Sequence, residues 1–290
     1  MKVIRVFPRK TSLTPTDDYA FVGDPPLFRP HADEVHISCT FTWDIEESYR
    51  LQEAWAQHYP LVKIGGPAIN GSRGEFVPGM YLRQGVTITS RGCPRRCPWC
   101  LVPEHEGKLC TLEVKPGWIV QDNNLLATPR DHQARVFAML RAQRRRVSFP
   151  GGLDARLLTD WAAVQLSTLS IKEIFLAADT KNALSALQAA VNKLGFLKRW
   201  QLRCYVLLAY GGETKAEATA RLEAVWQIGC LPFAQVYQPP DRYISYSREW
   251  RALARTWSRP AAMAALHKET HESTVRRRPH TDPLWSGDET

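Results

Sequence analysis

In the stretch "TSRGCPRRCPWCLVP", Thr89 to Pro103, Cys93, Cys97 and Cys100 are separated by three and then by two residues, and a proline follows each of the first two. Disulfide pairing explains this badly, because three is odd and such near neighbours are poorly placed to bond to one another. Metal ligation explains it better. A loop that wraps an iron–sulfur cubane must bend tightly, which is why its thiolates come in short C-x(2–4)-C steps. Three sulfurs for four irons leave one iron open, as three protein ligands leave a place for water or substrate in catalytic zinc sites. The same spacing also admits a zinc site completed by His105 or Cys110. Of the other cysteines, Cys204 and Cys230 lie in or beside apolar runs and read as core residues, which leaves Cys39 and Cys110 as candidates for thiol chemistry.

Elements able to position such a loop surround it. From Val86 onward strand-like runs alternate with helical ones: "VTIT" at Val86, "WIVQ" at Trp118, "RVSF" at Arg146, "EIFLAA" at Glu173, "RCYVLLA" at Arg203 and "FAQVY" at Phe233. Helix patterns fall at 131–145, 158–169, 182–194 and 216–227. Thr128 is placed to cap the first of these, with Pro129 at its first position. Six β units at βα spacing predict an α/β fold whose parallel sheet is open or curled into a partial barrel. The cysteine loop follows the first of those strands.

The first 78 residues read as a separate small α/β unit. Strands are predicted at 2–7, 35–39 and 61–66, the last running into a glycine turn, with an amphipathic helix at 45–58. The proline-marked stretch "PTDDYAFVGDPPLFRPHADE" reads as an irregular connection, and 70–79 as a linker. The expected organisation is therefore a small domain at 1–78, the sheet domain at 79–258, and a short helix with a mobile tail at 259–290.

"CPRRCPWC", with Trp99 just before the last cysteine, resembles the signature of the radical S-adenosylmethionine (SAM) enzymes. The resemblance runs through roughly 79–258 and implies a partial (β/α)6 TIM-like barrel. It implies that Cys93, Cys97 and Cys100 hold a [4Fe-4S] cluster, with SAM chelating the open iron, and that an external flavodoxin- or ferredoxin-like donor supplies the electron that cleaves SAM to a 5′-deoxyadenosyl radical. It also implies SAM contacts at the strand ends: Asp122, Asn123 and Asn124 in "VQDNN", Asp154 and Arg156 in "FPGGLDARLL", and Asp179 in "LAADT". The "DNN" departs from the commoner Gly-Gly-Glu form. "AYGGETKAEAT" resembles a Pro-Gly-Glu-Thr turn of the branch that carries a cobalamin-binding domain. The N-terminal unit looks like a shortened Rossmann-like relative of that domain without its Asp-x-His-x-x-Gly loop. Methylthiotransferases are similar in layout but add N-terminal cysteines, where this chain has only Cys39.

The net charge of +9 is unevenly spread. Residues 1–78 hold 8 basic and 10 acidic side chains, residues 79–258 hold 25 and 14, and residues 259–290 hold 5 of each. The excess therefore travels with the cysteine motif, which favours an anionic substrate such as a nucleotide or nucleic acid over a neutral metabolite or peptide. A zinc-bearing, non-catalytic nucleic-acid module is the alternative of another class. No run of 18 apolar residues occurs and the N-terminus lacks the apolar core of a signal peptide, so the expected address is cytoplasmic, away from a membrane.

Overall fold

The computed structural model describes residues 1–69 and 75–275, with side chains through 268. In the first part, β1 (Val3–Phe7), β2 (Ala20–Val22), β3 (Glu34–Ser38) and β4 (Val62–Gly65) form one parallel sheet in the order β2-β1-β3-β4. Ile4 pairs with Val35 and Val6 with Ile37, and these apolar residues meet Leu51 and Trp55 of α1 (Ile45–Ala56) in a core of their own. The predicted glycine turn is present. Gly66 has φ +110°, and a Cβ there would stand 2.4 Å from the Cys39 carbonyl oxygen. The stretch expected to be irregular contains β2, which the Arg5–Asp17 ion pair ties to β1.

The second part carries β5 (Val86–Thr87), β8 (Ile119–Val120), β9 (Val147–Phe149), β10 (Ile171–Ala177), β11 (Leu202–Leu208) and β12 (Leu231–Val236), all parallel and adjacent in chain order. Between β5 and β8 lies a two-stranded antiparallel ribbon of β6 (Ser90–Arg91) and β7 (Cys110–Thr111), with the one-turn helix α2 (Val102–His105) in its head. The crossovers after β8 are helical: α3 (Arg130–Ala142), α4 (Asp160–Ser167), α5 (Leu184–Lys193) and α6 (Lys215–Ile228). Their apolar faces bury Val136, Phe137, Leu166, Leu187 and Leu222 against Phe149, Leu176, Cys204 and Val206 of the strands. Among the described residues no pairing joins β5 to β12, so the sheet is open. On its other face Phe175, Tyr205 and Phe233 pack ring against ring, and the Tyr205 hydroxyl crosses to the Pro150 carbonyl at 2.8 Å.

Two of the crossover helices, α4 and α6, begin at side-chain caps, whereas α3 departs from the expected cap. Thr214 caps α6 in a reciprocal box with Glu217, and Gly229 closes it at φ +110°. Thr128 does not cap α3: its hydroxyl turns back onto the Leu125 carbonyl at 2.7 Å, and Pro129 itself takes the cap position. Arg144 to Arg146 fall beyond the end of α3, where Arg145 and Arg146 lie over the rings of Trp118 and Trp200.

The described C-terminal residues are more helical than the sequence suggests. An unpredicted α7 (Arg248–Thr256) leads into α8 (Pro260–Val275), a 16-residue helix rather than a short one. Trp257 and Met263 are both buried in the core of the six-stranded sheet. The expected mobile tail, 275–290, begins on the last residue of α8 and otherwise lies outside the described residues, as do residues 70–74 of the expected linker. Around the expected boundary, Phe76 is buried, Tyr81 Oη stands 2.6 Å from His36 Nδ1, and Arg83 N–H donates to the Leu13 carbonyl at 2.8 Å. No helix among the described residues is long and apolar enough to cross a membrane.

Candidate metal centre

The cysteine loop is the head of the β6–β7 ribbon, and the residues at its base explain how it is held. Gly92 enters the loop at φ +74°, and a Cβ there would stand 2.5 Å from the Lys108 carbonyl oxygen of the opposite arm. Only glycine allows that approach. Glu106, which the sequence did not single out, closes the base from the other side. Its carboxylate accepts the Gly92 N–H at 2.9 Å and the Asn123 amide, and lies 3.4 Å from Arg91. Nothing in "PEHEGK" distinguishes this glutamate from a surface acid, so its role emerges only when the ribbon closes.

The residues that the sequence proposed for cofactor contact after β8 and β9 also reach the cysteine loop or its root. After β8, Asp122 is 1 % exposed and accepts the Thr89 N–H and hydroxyl, each at 2.6 Å, and the Ser90 hydroxyl at 2.7 Å. Burial pushes its carboxyl above the usual range despite those donors. Both its oxygens are engaged by the root of the ribbon, so Asp122 positions the loop. Behind it, buried His132 places Nε2 at 3.3 Å from Thr89 Oγ1, and burial holds its imidazole below the usual value. Gly151, at the end of β9, lets this layer close: a Cβ there would meet the Asp122 carbonyl oxygen at 2.4 Å.

Asn124, 3 % exposed, points its amide nitrogen at Cys93 Sγ, 3.5 Å away, and the backbone N–H of Arg95 approaches the same sulfur at 3.4 Å. The other amide atom, Asn124 Oδ1, is buried without a partner among the described residues, as are Arg91 Nε and His132 Nδ1. After β9, Asp154 accepts Arg95 Nε of the loop at 2.9 Å and Arg156 Nε at 2.8 Å. Burial would raise its carboxyl, but the two guanidinium groups outweigh burial and hold it low. After β10, Asp179 accepts the Leu207 N–H at 3.1 Å, and burial keeps its carboxyl high. Trp99 of the loop lies edge-on to Tyr210, which meets Tyr237, so the loop is roofed across the ends of β11 and β12.

The thiols share this setting. Cys93, Cys97 and Cys100 are each partly exposed, and burial pushes the Cys97 and Cys100 thiols up while the Arg156 charge works against that at Cys97. Among the described residues no three His, Cys, Asp or Glu side chains converge on one point as a single ion requires. A cubane distributes its thiolates over separate irons, so that convergence is not a condition for it. Of the two residues that would complete a zinc site, His105 has Nδ1 2.8 Å from the Pro67 carbonyl oxygen and Cys110 is exposed on β7. Cys39 is buried with its thiol directed at the Phe41 carbonyl, and burial raises it, a poor setting for a nucleophile.

The β11–α6 turn is built as a latch. Ala209 at φ +61°, Gly211 and Gly212 lead into Glu213, which accepts the Ala209 N–H at 3.1 Å and pairs with Arg221. Arg221, 6 % exposed, also donates to the carbonyls of Ala178 at 2.8 Å and Leu207 at 2.6 Å, which holds the ends of β10 and β11 together beneath Asp179. Compared with protein-family models and with curated proteins, the chain matches none.

Proposed function

We propose that this chain is a radical SAM enzyme whose open, six-stranded parallel sheet is a partial (β/α)6 barrel and whose Cys93, Cys97 and Cys100 hold a [4Fe-4S] cluster. One observation carries the reading. The three cysteines sit in a loop that leaves the first strand of the sheet and is tied by side chains to the ends of β8 and β9, with two N–H donors already directed at Cys93 Sγ. Hydrogen bonds to cluster sulfurs are a principal lever by which a protein tunes an iron–sulfur centre. The donor set therefore fits the group.

When bound, such a cluster supplies the electron that cleaves SAM reductively. The residues of the chain do the rest. Asp122 fixes Thr89 and Ser90 at the root of the loop, and Glu106 closes its base. Asp154 and Arg156 place an ion pair beside Cys97, and Trp99 and Tyr210 cover the rim against water. Asn124 Oδ1, an unpaired acceptor beside Cys93, is the atom best placed to take an ammonium or N–H group of a cofactor; a buried acceptor left unpaired costs about 1–3 kcal/mol, so a ligand that donates to it recovers that cost.

The test is anaerobic reconstitution with iron and sulfide. Close to four irons and four sulfides per chain are expected, with slow release of 5′-deoxyadenosine from SAM after reduction. Full iron loading in a chain with all three cysteines replaced by alanine would overturn the assignment, as would stoichiometric zinc with no iron after anaerobic purification.

A further inference from the structure

The β12–α7 segment carries a basic, aromatic surface that leads from the candidate centre. Between Tyr237 and Arg259 there are five arginines and two acidic residues. The loop is braced from within: Gln238 both donates to and accepts from the Ile244 backbone at 2.9 Å, and the Tyr246 hydroxyl donates to the Tyr237 carbonyl at 2.6 Å. That bracing holds out a tip at which Arg242 is exposed and Tyr243 is 73 % exposed.

The helix that follows has two unlike faces. Trp250, Leu253 and Ala254 pack on the core of the sheet, while Arg248, Arg251 and Arg255 recur at spacings of three and four on the opposite face and are all exposed. None of the three makes an ion pair among the described residues. Glu249 is turned onto the Ser247 hydroxyl at the helix start, at 2.7 Å. Three aligned arginines repel one another unless anions lie along them. At the other end of the segment, Tyr237 meets Tyr210 at 4.9 Å and Tyr210 meets Trp99 of the cysteine loop at 5.2 Å, so the surface is continuous with the rim of the candidate centre.

We infer that the β12–α7 segment is the docking surface for a single-stranded nucleic acid, whose backbone runs along Arg248, Arg251 and Arg255 while a base stacks on Tyr243. A row of cations tracks a phosphate backbone, and an exposed aromatic ring accepts any base face. An acidic protein would also answer the charge, but it gives no use to a ring held out at the tip of a braced loop. As a statement about substrate this inference rests on the proposed radical chemistry; as a statement about binding it does not.

The experiment measures fluorescence anisotropy of a labelled oligouridylate of ~12 nucleotides, a length within the site size of single-strand binders, against the full chain across ~50 to 200 mM salt. Wild-type protein should bind with a steep salt dependence. The triple variant Arg248→Glu, Arg251→Glu, Arg255→Glu should bind about tenfold or more weakly, with the log–log salt slope shallower by about 2. Tyr243→Ala should weaken binding while leaving the slope unchanged. A control reversing Arg144, Lys172 and Lys198, all exposed near the opposite ends of the strands, should bind like wild type. Circular dichroism verifies that each variant is folded. Equal losses in the two triple variants, no binding by wild type, or equally tight binding of poly-glutamate would overturn the inference. Iron content and SAM cleavage without nucleic acid, measured on the same variants, are expected to be unchanged, and their loss in wild type would count against the radical chemistry alone.

Discussion

At the scale of single residues, Asp122 and Asp154 at the root and rim of the cysteine loop behave oppositely. Asp122 is driven up by burial, so its contribution to stability is greatest below the ordinary aspartate value and is lost as pH rises through its folded-state value. Asp154 is held low by Arg156 and Arg95 against burial, so its contribution is present above the ordinary value and is lost as pH falls through its folded-state value. Urea unfolding from pH 3 to 7 should therefore show Asp154→Asn flattening the acid side of the wild-type profile. Asp122→Asn should instead reduce the loss of stability with rising pH. Asp122→Ala strands three donors of Thr89 and Ser90 in a buried layer and is expected to cost about 3 kcal/mol. That loss should appear as a lower urea midpoint. Replacing any one of Cys93, Cys97 or Cys100 by alanine should remove most of the bound iron and the ~400 nm absorbance of the reconstituted protein with little effect on far-ultraviolet circular dichroism, because the loop is tied down by other side chains.

At the scale of elements, the ribbon and the strand ends depend on glycines for different reasons. Gly92 combines a left-handed backbone with a neighbouring carbonyl oxygen 2.5 Å from where a Cβ would stand, whereas Gly107 has φ +78° and open space around it. Gly107→Ala should cost only the backbone strain, about 1–2 kcal/mol. Gly92→Ala must also push the two arms of the ribbon apart and should cost more, with lower iron retention. Gly151→Ala has no left-handed strain but drives a methyl into the Asp122 carbonyl, so it should loosen the β8–β9 layer. Thermal midpoints and iron content of the three variants give the order Gly107 mildest, Gly92 and Gly151 more severe. Thr214→Ala, which removes one half of the α6 capping box far from the cysteines, should cost about 1 kcal/mol with no change in iron.

At the scale of the molecule, the described residues contain two separate apolar cores, one around Ile4, Ile37 and Trp55 and one spanning Val120 to Met263. The second is completed by the C-terminal segment, because Trp257 and Met263 are almost wholly buried against the sheet. Met263→Ala should therefore cost about 2–5 kcal/mol and Trp257→Ala about 3–5 kcal/mol, values of core residues. Chemical denaturation followed by tryptophan fluorescence checks both. A chain ended at residue 258 should lose stability by more than a surface truncation would, since it uncovers the patch that Met263 seals.

The sequence alone determined the local facts: the close spacing of three cysteines, and the alternation of strand and helix patterns that placed a helix at 216–227. These are legible because spacing and periodicity act over a few residues. Tertiary structure decided which side chains meet. Asp122, Asn124 and Asp154 lie at strand ends as the repeating pattern placed them, but only the parallel register turns them onto Thr89, Cys93 and Arg95 rather than out toward solvent. Glu106 and Arg221 had no local signal because their partners stand on other elements, at Gly92, Asn123, Ala178 and Leu207. Thr128 had a capping signal and did not use it, since the preceding turn at Leu125 offered its hydroxyl a nearer acceptor. α8 was underread because its composition is mixed, whereas Met263 near its start is buried in a core that the rest of the chain builds.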